Sequence, residues 1–145
     1  MAVDRVARWA LAISAAWFYL VVILTLLNSA LLLTGQFVDF LGGLYLTQYV
    51  DAAGLGLSAV EPEGAARPAF SQLLAFGFDL GACVLFALLG TLALRGRRQA
   101  LVIGLIWYGV DSLLVLMAQQ WAALAVHGVG LLAMSWGMVA PRRSR

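Results

Sequence analysis

Three ionisable side chains stand by themselves inside long apolar runs: Asp79, Asp111 and His127. Asp111 and His127 are sixteen residues apart, with the short polar break Gln119-Gln120 midway between them. Two carboxyl groups and an imidazole can pass protons, hold a small ion or polar ligand, or coordinate a divalent metal. An ionisable group facing lipid near mid-membrane costs about 3 kcal/mol or more, so such residues turn inward and pair. The metal reading is the weakest: its ligands would be Asp79, Asp111 and His127, but there is one histidine and no HExxH or CxxC spacing. Ser112 and Ser135 lack a recognisable triad setting. Cys83 is the single cysteine, so no internal disulfide forms, and it reads as an inert packing thiol. No cofactor can be assigned, and the pattern points away from an enzyme.

The elements that must position these groups are membrane spans. The 145-residue chain is 63% hydrophobic and 11% charged, too apolar to clothe a soluble domain. Four segments reach the ~20 apolar residues that a spanning helix needs: about 6–33, 70–94, 100–118 and 121–139. The run from Trp9 to Leu33 is too long for a signal-peptide core. Gln119-Gln120 joins the last two spans so tightly that they form an antiparallel hairpin. The expected fold is all-α: one transmembrane domain over 1–145, four helices in an antiparallel bundle, and an outer loop at 34–69. Every basic residue is arginine, and eight of the nine fall at the N-terminus, in the second connection or at the C-terminus. An even span count puts those three places on one side, which the positive-inside rule makes cytoplasmic. A net charge of +2 gives no reason to expect nucleic acid.

The long first connection is not all loop. Asp39, Gly43, Thr47 and Asp51 recur every fourth residue among apolar neighbours. That period predicts a short amphipathic helix over 37–51, interfacial or re-entrant, with Gly42-Gly43 able to break it. Residues 52–68 read as loop. Gly77 and Gly81 form a GxxxG step, which predicts close helix approach.

The spacing also fixes depth. Asp111 and His127 are each eight residues from Gln119, about 12 Å below the turn. Asp79 is nine residues from the start of its span, about 13 Å deep; Asn28 and Thr25 lie about 9 and 14 Å from the end of theirs. These side chains share one layer, and Tyr108 is one turn from Asp111. Gln72 and Gln120 lie nearer the surface.

The stretches NSALLLTG (28–35), GLYLTQYVD (43–51), RGRRQ (95–99), WYGVDSL (107–113) and WAALAVH (121–127) resemble a family of small, uncharacterised bacterial four-span membrane proteins. The resemblance implies a bacterial inner-membrane protein and brings no activity with it. It draws attention to Gln48 and Asp51, which would cap the polar layer from above. The reading is a membrane protein whose Asp79, Asp111, His127, Tyr108, Asn28, Gln48 and Asp51 bind or relay a small ligand, proton or ion. The alternative is a scaffold or accessory subunit with a purely structural polar layer, and a membrane-embedded metalloenzyme comes a distant third. Besides the lipid bilayer, the expected partner is a second copy in a homodimer, or a larger membrane complex.

Overall fold

The structure, a computed structural model, describes residues 2–34, 42–58 and 70–139. These form five helices and no strand: α1 (Ala2–Leu33), α2 (Tyr45–Ser58), α3 (Phe70–Leu94), α4 (Arg98–Met117) and α5 (Trp121–Val139). Four of them, all but α2, are long and apolar enough to cross a membrane. The chain is thus an all-α, multi-pass helical bundle.

Span boundaries differ little from the sequence reading, except that α1 begins at Ala2 and α4 at Arg98. Arginine is a good helix former, so the helices run through their charged ends. The described arginines Arg5, Arg8, Arg95, Arg97 and Arg98 gather at one end of the bundle, the arginine end. Asp39 and the C-terminal arginines, on which sequence expectations rest, lie outside the described residues.

The connections follow from local hydrogen bonding. After α3, Gly96 takes the left-handed conformation at φ +77°. The Gly96 and Arg97 amides then donate back to Ala93 and Leu92 carbonyls at 2.9 and 3.0 Å, closing the helix. The α4–α5 hairpin uses the same device with Gln119 at φ +57°. There the Gln119 and Gln120 amides donate to Leu116 and Val115 carbonyls.

The short helix is a correction. It starts at Tyr45, just after Gly42-Gly43, and continues to Ser58 through a stretch that reads as loop. Residues 37–41 lie outside the described set. The glycines and alanines at 52–56 look like loop chemistry, but packing uses them: a Cβ on Gly54 would come within 3.0 Å of Ala75 Cβ and 3.1 Å of the Ser71 carbonyl. Small residues here let α2 lie directly on α3.

The GxxxG expectation is likewise corrected. A Cβ on Gly77 or Gly81 would meet nothing within 4 Å, so that step makes no close helix approach. Close approach happens around α1 instead: Gly90 packs on Phe18, Gly130 on Trp17 and Tyr108, and Gly137 on Ser14. The core beside α1 is built from Phe18, Val21, Phe86, Leu101, Tyr108 and Met134, all at most 2% exposed. Helix α1 packs extensively on α3 and α5, whereas α3 and α4 touch far less.

Candidate functional site

Helix α2 begins inside the bundle, and its first amides must find acceptors there. A helix start leaves backbone N–H groups without intrahelical partners, and a membrane interior offers no water to satisfy them. Spans α1 and α4 supply the acceptors. The Leu44 amide donates to Thr25 Oγ1 at 2.9 Å. The Tyr45 amide donates to Asp111 Oδ2 at 2.9 Å, and the Leu46 amide to Asp111 Oδ1 at 2.8 Å. Thr47 closes the turn by donating its hydroxyl to the Leu44 carbonyl at 2.7 Å. Asp111 is therefore the N-terminal cap of a helix 65 residues away in sequence.

His127 completes this first site. Its Nε2 lies 2.9 Å from Asp111 Oδ2, and both side chains are almost fully buried. Its Nδ1 lies 2.9 Å from the Ala123 carbonyl. A carbonyl only accepts, so Nδ1 carries a hydrogen. The Nε2 contact is then either imidazolium on carboxylate or neutral imidazole on carboxylic acid, and the pair has no net charge in either form. Tyr108 stacks flat on the imidazole, with ring centroids 4.6 Å apart at 8°. The Tyr108 hydroxyl and the Trp17 indole nitrogen approach one another without completing a hydrogen bond, and both atoms are buried.

From this base α2 climbs along α3 towards the loop end of the bundle. Asp51 is six residues beyond Tyr45, about 9 Å along the helix axis. There it meets Asp79 of α3 and Ser29 of α1 in a second site. Ser29 Oγ is 2.5 Å from Asp79 Oδ2, 3.5 Å from Asp51 Oδ2 and 3.1 Å from the Thr25 carbonyl. The two carboxyl groups are within hydrogen-bonding reach of each other. Asp79 is wholly buried and Asp51 8% exposed. Asp79 Oδ1 has no hydrogen-bond partner among the described residues. Burial pushes the Asp51 carboxyl above its ordinary value of 3.8, with hydrogen bonds from Asp79 and Ser29 opposing. Beside Asp51, a pit of about 10 Å³ is lined by Leu32, Leu55, Gln72 and Ala75, room for about one water.

The sequence places Asp79, Asp111 and His127 in one layer, and the structure divides them. Asp111 and His127 pair, with Tyr108 against the ring; Asp79 joins Asp51 instead. Among the described residues no group of three His, Cys, Asp or Glu side chains could hold a metal ion, so the set Asp79, Asp111 and His127 is not assembled as ligands. The physical reason is α2: its first turn draws Asp111 to its amides, while its second and third turns carry Asp51 to Asp79. Asn28 is buried, with its Nδ2 against Gly43, where a Cβ would come within 3.0 Å of it. Gln48 is half-buried on α2 between the two sites, and no hydrogen bond among the described residues ties it to either. Ser29 is the residue that sequence reasoning passed over. It follows Asn28 and stands four residues after Thr25, so the helical period alone would have put it on the polar face.

No family model, curated protein or solved structure matches this chain.

Proposed function

We propose that this protein is a multi-pass membrane protein of the cell (inner) membrane of a bacterium, which binds and releases a proton at the Asp51–Asp79 pair. A single observation carries the reading. Ser29 has one hydroxyl hydrogen and three acceptor oxygens around it, two of them from carboxyl groups that lie within hydrogen-bonding reach of each other. Among the described residues the side chains acting on the two carboxyls are Ser29 and each other, with no basic group among them. Two carboxylates so placed in a low-dielectric site repel, and one proton held between them removes the repulsion. The pit beside Asp51 gives that proton a path to the loop end. With the arginine end cytoplasmic, the path opens outward.

Infrared spectroscopy of the purified protein tests this. A buried carboxylic-acid band should be present at neutral pH, shift in D2O, and vanish in both Asp51→Asn and Asp79→Asn. Wild-type protein with no such band, and with stability that tracks sodium or potassium at fixed pH, would assign the pair to a cation instead.

A scaffold or accessory-subunit reading is favoured by a different observation. Both Asp111 oxygens are taken up by α2 amides and His127, which is what fixing a helix in place requires. The two readings fit together if Asp111 and His127 position α2 while Asp51 and Asp79 titrate.

A further inference from the structure

A cavity of about 520 Å³ lies between α3 and α4, beneath the first turn of α2. It is separate from the acid pair, and the proton reading leaves it unused. We propose that it seats one acyl chain of a bilayer phospholipid, held as an integral part of the fold between α3 and α4. The walls include Gly81 and Leu85 of α3, Trp107 and Val110 of α4, and Leu46 of α2. Trp107 and Val110 are 47% and 51% exposed, so the cavity opens sideways at a depth where the spans face hydrocarbon.

The buried polar side chains of the lining have no spare donor to offer. Thr47 gives its hydroxyl hydrogen to the Leu44 carbonyl, and Asp111 already accepts from two amides and contacts His127. Water needs two or more polar partners to remain in such a space. An empty cavity of this size loses stability in proportion to its volume. Hydrocarbon from the adjoining lipid satisfies both conditions. A volume of 520 Å³ suits a flexible chain.

Gly81 supplies the test, because a Cβ there meets nothing within 4 Å. Gly81→Leu fills the cavity without displacing protein. Gly128 is equally unobstructed and does not line the cavity, so Gly128→Leu is the matched control. The full chain, extracted from membranes in mild detergent, would be examined by native mass spectrometry and thermal melting. Wild type and Gly128→Leu should each retain one phospholipid, and delipidated samples of both should regain thermal stability when phosphatidylethanolamine is added. Gly81→Leu should retain it at least tenfold less and show no response to added lipid. Val110→Trp, filling the same space from α4, should repeat that loss if Gly81→Leu folds poorly. Equal retention by the filled and control proteins overturns the proposal. So does wild type without an adduct, or an adduct whose mass is that of an isoprenoid or free fatty acid. Loss of the infrared acid band leaves this result untouched, so the two readings fail separately.

Discussion

Replacing Asp111 by Asn exchanges one oxygen for an amide nitrogen and keeps the side chain's shape. The Asp111 oxygens accept the Tyr45 amide at 2.9 Å and the Leu46 amide at 2.8 Å. An asparagine has one carbonyl oxygen, so whichever way it turns, its NH2 group faces one of those backbone N–H groups. With the NH2 in the Oδ2 position it still serves His127 Nε2 as a donor, and Tyr45 is the amide orphaned. A buried unsatisfied donor costs about 1–3 kcal/mol. At 1.36 kcal/mol per factor of ten, the equilibrium for opening the first turn of α2 shifts about 5–150-fold. The assay is hydrogen exchange in lipid nanodiscs, read by mass spectrometry over α2 and, as an internal reference, α1. Exchange in α2 should accelerate by that factor while the middle of α1 keeps its protection. Asp111→Ala orphans both amides and should accelerate α2 further. An Asp111→Asn protein that folds normally with wild-type exchange in α2 would refute the capping argument.

Burial raises the Asp51 carboxyl above its ordinary 3.8, so the folded state holds this proton more tightly than the unfolded chain does. The resulting stabilisation is fully present below about pH 4 and is lost as pH rises through the folded-state value. Melting temperature should therefore fall with rising pH, and Asp51→Asn should flatten the curve. Gly130→Ala drives a methyl group into Trp17 and Tyr108 and should cost about 1–3 kcal/mol by overpacking. Gly128→Ala, in open space, should be neutral or slightly stabilising; unfolding of the two variants in the same detergent gives the comparison. Tyr108→Phe keeps the stack on His127 and removes a buried hydroxyl that completes no hydrogen bond among the described residues. Its stability should be unchanged or higher by up to about 1 kcal/mol, and a loss of 2 kcal/mol or more in thermal unfolding would show a partner for that hydroxyl.

Much of the architecture is written in one dimension. A run of ~20 apolar residues has no soluble alternative, so the four spans follow from composition and length alone. The hairpin at Gln119-Gln120 follows from having almost no residues to spend on a connection. Depth follows as well, because a helix converts residue count into distance at a fixed rise. That is why Asp111 and His127, equidistant from one turn, could be placed level before any contact was known, and they do meet at 2.9 Å.

Rotation and partnership are not in that code. In a membrane both the lipid face and the interior face of a helix are apolar, so hydropathy cannot say which way Gly77 and Gly81 point. They make no close contact, while Gly90, Gly130 and Gly137 carry the close contacts. Nor could the sequence choose between an interfacial helix and a re-entrant one that enters the bundle. Its 14 residues are too few to span and carry loop-like glycines and alanines, so local propensity argued against much of it. Only the folded chain brings Thr25 and Asp111 to its first amides and lays Gly54 against Ala75. Once there, α2 separates acids that depth alone would group, pairing Asp111 with His127 and Asp79 with Asp51. Sequence set how deep each polar group lies, because rise per residue is a local property of the helix. Tertiary structure decided which groups share a proton or a hydrogen bond, because that depends on the rotation of each helix against its neighbours.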